Sequence, residues 1–161
     1  MCADNQQERL EAEWIVGFVD GEGCFFVGFN RQPKMTVGWQ VLPEFRIVQH
    51  MRDEQILNKL REYFGFGSVV INNGDRMEFR VRGIIDLTKI VEFFKRNPLR
   101  TRKKKDFEKF AHVIRIIQNG QHLKNEGLRK AAQLAVTMNR KCNTTASRIL
   151  RDCTPDTEKQ Q

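Results

Sequence analysis

Acidic and basic side chains are segregated along this chain in a way that points to phosphate chemistry. The first 22 residues hold six acids and one base, Arg9, whereas the stretch from Lys95 to Arg115 holds nine bases against Asp106 and Glu108. Carboxylates bind hard divalent cations, and Lys and Arg bind phosphate oxygens. An acidic spot in basic surroundings is what a metal-dependent phosphodiesterase requires. The acids of the first segment are Asp4, Glu8, Glu11, Glu13, Asp20 and Glu22.

Glu22 has the most informative position among these acids. It lies at the C-terminal end of the first predicted helix, where the helix dipole is negative and backbone carbonyls lack intrahelical partners. A carboxylate there is unfavourable unless a cation compensates it, so Glu22 and the carbonyl of Gly21 form a candidate half-site for Mg²⁺. A loop acid paired with a lysine is the alternative interpretation.

The overall composition favours a nucleic-acid partner. The chain has 161 residues, with 28 Lys and Arg against 20 Asp and Glu, for a net charge of +8. Such an excess is typical of proteins that bind polyanions, although a merely soluble basic protein shows the same balance. A hydrophobic content of 40% with 12 Phe excludes a disordered tail protein. The length predicts a single domain over residues 1–161. We expect its core at about 8–151 and flexible termini.

Other protein classes are disfavoured by what the sequence lacks. No apolar run is long enough to span a bilayer, and residues 1–9 contain no signal-peptide core, so we expect a soluble intracellular protein without a membrane partner. The cysteines form no CxxC pair, which argues against a zinc site and a disulfide framework. The histidines lack the companions of a histidine nuclease motif, and we interpret them as incidental. These residues are Cys2, Cys24, Cys142 and Cys153, and His50, His112 and His122.

Hydrophobic periodicity predicts alternating helices and hairpins. Helices are predicted where apolar residues recur every three or four positions, and strands where they alternate with polar ones. The pair Asn73–Gly74 marks a hairpin turn, and Pro43 predicts a bulge or a local edge in the second strand. The predicted helices cover residues 8–21, 53–64, 86–95, 107–117, 128–138 and 145–151, and the predicted strands cover 24–30, 37–49, 68–72 and 76–82.

These elements predict an α+β fold. Two hairpins with one polar face each make a four-stranded antiparallel sheet that helices cover on one side. The order is αββαββα, followed by C-terminal helices. Mixed donors and acceptors on the uncovered face suit the reading of base edges, although a plain solvated face would show the same pattern. They are Asn30, Gln32, Gln40, Arg46, Asn72, Arg76, Glu78 and Arg80.

The segment Trp14-Ile15-Val16-Gly17-Phe18-Val19-Asp20-Gly21-Glu22-Gly23 resembles the signature of the LAGLIDADG homing endonucleases. It matches at both inner glycines, both acids and the terminal glycine, and the resemblance covers roughly residues 8–151. The αββαββα order with a saddle-shaped sheet is that family's core fold, and residues 98–107 are similar to its basic segment. Having one motif, the chain is similar to the homodimeric members found in introns of ribosomal RNA genes.

The resemblance implies a role for several residues. Glu22 corresponds to the motif's last acid, normally Asp, and would bind the catalytic metals with the carbonyl of Gly21. Gln49 falls where the family places a polar residue that orders water. The basic residue that aids the transition state would be Arg102 or Lys103. A further basic group is expected shortly after Gln49, where Asp53 has the spacing and Arg52 is one residue away.

The resemblance also implies partners. Two chains would pack through one face of the first helix and together cut both strands of a long pseudo-palindromic DNA target. Mg²⁺ would support hydrolysis, Mn²⁺ or Ca²⁺ would substitute for binding, and no organic cofactor is expected. The residues of the implied dimer interface are Trp14, Gly17, Phe18 and Gly21.

The sheet would lie in the major groove, with Arg suited to guanine, Asn and Gln to adenine, and Glu to cytosine. The candidate readers are Gly28, Asn30, Gln32, Lys34, Gln40, Leu42, Glu44, Arg46, Ser68, Val70, Asn72, Arg76, Glu78 and Arg80. The candidate phosphate contacts are Lys103, Lys104, Lys105, Lys109, Arg140 and Lys141.

The sequence thus predicts an intron-encoded homing endonuclease that leaves a staggered break with 3′ overhangs. It would work in a chloroplast, a mitochondrion, or bacterial or archaeal cytoplasm. An RNA maturase and a DNA-binding regulator on the same fold are the alternatives.

Overall fold

Helices and hairpins alternate through the part of the chain that the computed structural model describes, residues 9–152. The core order αββαββα and the α+β class are confirmed, and further helices follow. The helices are α1 (Ala12–Glu22), α2 (Glu54–Phe64), α3 (Ile84–Arg96), α4 (Lys103–Gln118), α5 (Asn125–Val136) and α6 (Thr144–Asp152). The strands are β1 (Gly23–Arg31), β2 (Trp39–His50), β3 (Ser68–Asn73) and β4 (Arg76–Val81).

The strands form one antiparallel sheet in the order β1-β2-β4-β3. β1 pairs with β2 in an uninterrupted register from Gly23 opposite Ile47 to Arg31 opposite Trp39. Pro43 therefore causes no bulge. It lies beyond Phe45, where the pairing of β2 with β4 ends, so β2 is a local edge at the proline.

Helices cover one face of the sheet, and an aromatic cluster fills the space between them. Phe25 is fully buried, and its ring centroid lies 5.1 Å from that of Phe45, 5.7 Å from Phe94, 5.4 Å from Phe107 and 5.3 Å from Phe110. These rings join β1 and β2 to α3 and α4. Alternate strand residues face the other side, so the second face of the sheet stays open for the length of the strands.

Some helices and strands begin at a different residue from the one predicted, because their first residues are polar or belong to a turn. α4 begins at Lys103 instead of residue 107, because its first turn has no apolar residue until Phe107 and periodicity cannot mark it. β2 begins at Trp39 because Gly38, with φ of 70°, still belongs to the turn. The predicted helix start at residue 8 and the fraying of 153–161 lie outside the described residues. No helix among residues 9–152 is long and apolar enough to span a membrane.

The segment between α5 and α6 closes the outer edge of β1. Asn139, whose φ of 61° is left-handed, donates from Nδ2 to the carbonyl of Phe25 at 2.9 Å. Asn143 donates from Nδ2 to the carbonyl of Val27, also at 2.9 Å, and its Oδ1 accepts from the backbone N–H of Ala146 at 3.0 Å. Two amides therefore satisfy alternate carbonyls of an edge strand, and one of them also caps α6.

Replacing Asn143 with Ala is expected to lower the free energy of unfolding by about 1–2 kcal/mol, because the change removes a helix cap and leaves a strand carbonyl without its donor. Urea denaturation measures this loss. The neighbouring exposed Thr144→Ala is the control and should change stability by no more than about 0.5 kcal/mol. Equal losses in the two variants would show that Asn143 does not fasten the edge.

Candidate functional site

An open cavity of about 460 Å³ lies at the end of the sheet where α1 and β2 stop. It brings together the predicted residues Glu22 and Gln49, which are 27 positions apart in the chain numbering. The residues that line the cavity are Glu22, Val48, Gln49, His50, Asp75 and Arg76.

Glu22 projects because the chain passes from α1 to β1 without a loop. A Cβ at Gly23 would lie 2.6 Å from Cγ1 and 2.9 Å from the carbonyl oxygen of Val19, so this reversal requires glycine. Glu22 and Gly21 are exposed, and within residues 9–152 the Glu22 carboxylate makes no hydrogen bond or ion pair. This acid at a helix C-terminus thus lacks a contact partner among the residues that the structure describes.

Asp20, the other acid of the motif, anchors the basic segment to α1. Its carboxylate accepts from the backbone N–H of Arg100 at 2.9 Å, and from the N–H and Oγ1 of Thr101 at 3.1 and 2.7 Å. Burial would raise the pKa of Asp20, but these hydrogen bonds and the charge of Lys103 outweigh it and hold the pKa below the ordinary value of 3.8. This role could not be predicted from the sequence, since only the fold brings positions 20 and 101 together.

Lys103 is the first residue of α4 and follows closely after Thr101, which is hydrogen-bonded to Asp20. Partial burial lowers the pKa of its ammonium, and the negative charges of Asp20, Glu22 and Asp106 oppose that change. Arg102 is exposed, and its guanidinium makes no hydrogen bond or ion pair with the described residues. Of the two basic residues that the sequence left open, Lys103 is the partly buried one and Arg102 is the exposed one.

His50, taken as incidental from the sequence, lines the same cavity. Its Nδ1 accepts from the backbone N–H of Arg52 at 3.1 Å, which leaves the proton on Nε2, and Nε2 lies 2.9 Å from Oδ2 of Asp75. The pair ties the end of β2 to the turn between β3 and β4. The sequence feature that could have identified His50 is its position directly after Gln49. Arg52 and Asp53 do not line the cavity, and Arg76 is its basic wall residue.

Most of the candidate readers share the open face. The register places Asn30 opposite Gln40, Gly28 opposite Leu42, and Arg46 opposite Arg80. Gln32 and Lys34 lie in the turn after β1. The predicted readers on the strands themselves are Gly28, Asn30, Gln40, Leu42, Glu44, Arg46, Ser68, Val70, Asn72, Arg76, Glu78 and Arg80.

The candidate phosphate contacts differ in how free they are. Lys104 and Lys105 are exposed at the start of α4, and Arg140 and Lys141 are exposed between α5 and α6. Lys109 instead donates from Nζ to the carbonyl of Thr137 at 2.9 Å, so its ammonium is already bound within the chain.

One side of α1 carries the predicted dimer residues and is not covered by the described chain. Trp14 is 43% exposed and stacks on Phe18 with ring centroids 4.8 Å apart. A Cβ added at Gly17 or Gly21 would meet nothing within 4 Å. The opposite side buries Ile15, Val16 and Val19 in the core. The helix thus leaves room for another backbone to approach closely.

Within the described residues no cluster of side chains forms a metal site by itself. Among residues 9–152 no group of three or more His, Cys, Asp or Glu is placed to hold a metal ion. A hard cation can instead use one or two carboxylates together with backbone carbonyls, phosphate oxygens and water. The exposed Glu22 carboxylate and the Gly21 carbonyl fit that donor set.

Comparisons with known proteins agree with this architecture. The pattern that defines the family described as LAGLIDADG endonuclease matches residues 15–114. A Neurospora crassa protein named probable intron-encoded endonuclease 3 is 31% identical over 129 residues, which are 78% of this chain and 24% of that protein. The chain spans about a quarter of the length of the Podospora anserina and N. crassa relatives that it matches.

Solved structures are similar over nearly the whole chain. The crystal structure of a homing endonuclease, I-TnaI, has a TM-score of 0.87 and 48% identity, covering 90% of this chain and 99% of that one. The structure of I-SmaMI bound to an uncleaved DNA target in the presence of calcium ions has a TM-score of 0.85 and 29% identity, covering 91% of this chain and 50% of that one.

Proposed function

Because this chain belongs to the LAGLIDADG endonuclease family, we propose that it is an intron-encoded, site-specific homing endonuclease. Its substrate is a long pseudo-palindromic double-stranded DNA site, which it cuts as a homodimer by metal-dependent phosphodiester hydrolysis. The break is staggered, with 3′ overhangs.

The observation that carries the proposal is the placement of Glu22. Its carboxylate is exposed, lacks a contact partner among residues 9–152, and lies in a cavity next to Gln49 and near the charge of Lys103. An uncompensated acid at a helix C-terminus favours a cation. A basic residue beside it favours an anionic substrate at the same point.

The proposed metal is Mg²⁺, held by the carboxylate of Glu22 and the carbonyl of Gly21 from each of two chains. When bound, it would supply Lewis-acid stabilisation of the attacking and leaving oxygens. Mn²⁺ or Ca²⁺ would substitute for binding, and the calcium-containing structure of I-SmaMI supports the substitution by Ca²⁺.

Gln49 in the cavity and three residues near it have distinct proposed roles. The side-chain amide of Gln49 positions the attacking water, and the ammonium of Lys103 stabilises charge that develops on the phosphate. Asp20 acts through Lys103, because its three hydrogen bonds hold the backbone of residues 100–101 that leads into α4. Arg102 is left as a phosphate contact.

The open face of the sheet is proposed to read the major groove through the strand residues named above. Four exposed basic residues would bind phosphates of the DNA backbone and would not contact bases. They are Lys104, Lys105, Arg140 and Lys141. The structure of I-SmaMI on its DNA target supports a DNA partner for this fold.

The proposed dimer packs α1 against its symmetry copy through Trp14, Gly17, Phe18 and Gly21. The small residues let two helices approach closely, so that the two Glu22 side chains meet beside the two scissile phosphates. This chain matches only 50% of the I-SmaMI chain, which is therefore long enough to hold two domains of this size. That length supports an arrangement of two such domains on one DNA site. The names of the intron-encoded fungal relatives favour an organelle, and we propose the mitochondrion.

Cleavage of a randomised DNA library in Mg²⁺ tests the function. Sequencing the cut ends should recover one pseudo-palindromic site with 3′ overhangs, and sedimentation on that DNA should show two chains per duplex. Sequence-specific binding without cutting would reject the nuclease and leave a DNA-binding regulator. One chain bound per cleaved site would reject the dimer.

A further inference from the structure

Two glutamates on the open face of the sheet are buried. Glu44 is 7% exposed and Glu78 is 3% exposed, although the register places both on the side that no helix covers. Gln40 and Arg76 on the same face are exposed. Since a buried carboxylate is costly unless donors surround it, the contacts of these two acids define their role.

Glu78 is held between two predicted readers. Its Oε2 accepts from Nδ2 of Asn72 at 2.6 Å, across the β3–β4 pair, and its Oε1 accepts from Nη1 of Arg80 at 3.0 Å. The bond to Nδ2 fixes which way the Asn72 amide faces. Arg80 keeps its other N–H groups, since a guanidinium carries five.

Glu44 makes a corresponding pair of contacts in the other half of the sheet. Its Oε1 accepts from Nη1 of Arg46 at 3.4 Å, and its Oε2 accepts from Nε of Arg82. The guanidinium of Arg46 also lies 5.2 Å from the ring centroid of Phe26, which restricts it from a second side. The side chain of Arg82 is 62% exposed beyond this contact.

We infer that Glu44 and Glu78 are positioning residues for DNA recognition. Each carboxylate holds two donor side chains in the orientation that presents them to the bases, and neither carboxylate contacts a base itself. This inference rests on the proposed function and assigns reading at these places to Arg46, Arg82, Asn72 and Arg80. It replaces the direct reading of cytosine that the residue type suggests.

Preorganised side chains bind DNA at a lower entropic cost. A bidentate contact to guanine uses two N–H groups of one Arg, and a side chain already held by a third N–H loses less conformational freedom when it binds. A carboxylate that turned outward to meet cytosine would have to release both donors and face the phosphates. The buried, doubly bonded geometry therefore favours the holding role.

The test compares Glu78→Gln with Asn72→Ala, Arg80→Ala and the triple variant, using selection of bound sequences from a randomised library in Ca²⁺. Binding is scored separately from cutting, so a protein that binds but does not cleave would reject the nuclease and still test this inference. We expect E78Q to reduce discrimination about tenfold at the base pairs that N72A and R80A affect, and nowhere else. Adding E78Q to N72A and R80A should then cause no further loss.

Glu92→Gln, an exposed acid on α3, is the matched control for the change in charge and should leave the base preferences unchanged. Loss of discrimination by E78Q at a base pair that neither N72A nor R80A affects would overturn the inference, since it would show direct reading. Unchanged preferences with a lower melting temperature would also overturn it. If E78Q fails to fold, Glu44→Gln with Arg46→Ala and Arg82→Ala provides the same comparison, with the same outcomes decisive.

Discussion

Replacing Glu22 with Gln is expected to abolish Mg²⁺-dependent cleavage while leaving DNA binding nearly intact. Gln has the same shape but no charge, so the proposed cation site loses its anionic ligand in both protomers. A loss of about 4 kcal/mol of transition-state stabilisation corresponds to a rate lower by about 10³-fold. Single-turnover cleavage of the selected DNA site measures the rate, and a mobility shift in Ca²⁺ measures binding.

Glu62→Gln is the control for Glu22→Gln, because Glu62 is an exposed acid on α2 outside the cavity. It should cleave at the rate of the unaltered protein. If E22Q cuts as fast as E62Q, Glu22 is not the metal ligand and the proposed active site is wrong.

Lys103→Met should lower the cleavage rate far more than Arg102→Met. The ammonium of Lys103 is partly buried and its charge interacts with Glu22, whereas Arg102 is exposed. Removal of a group that stabilises charge in the transition state costs about 10²–10³-fold in rate. Loss of an exposed phosphate contact instead weakens binding and reduces the salt dependence by about one unit of slope.

Rates at saturating protein separate these two variants from a simple binding defect. K103M should stay slow when all DNA is bound, and R102M should recover once the salt concentration is lowered. The reverse pattern would assign the catalytic role to Arg102.

The helices and strands were predictable because each depends on neighbours within a few positions. Alternation along β2 and the three- and four-residue spacing along α2 reflect contacts with one buried face. The start of α4 was missed for the same reason, since residues Lys103 to Asp106 are all charged and leave no apolar pattern. The register of the strands confirmed that the strand-borne readers share the open face.

The roles within the site were less predictable. Asp20 and Glu22 both belong to the recognised motif. Asp20 accepts hydrogen bonds from the basic segment, whereas Glu22 is exposed. Glu44 and Glu78 look like surface acids in the sequence and are buried in the structure. Lys109 looks like a phosphate contact, and its ammonium is bound to a backbone carbonyl.

The fold class, the family and the place of Glu22 at a helix end could be read from the sequence, because they follow from local periodicity, a glycine-bounded motif and charge. The packing of the elements was needed to show that Lys103 is partly buried near that acid and that Glu44 and Glu78 hold arginines on the open face. The hydrogen bonds from Thr101 to Asp20 likewise join residues 81 positions apart. Their geometry depends on how whole elements pack, which no local pattern encodes.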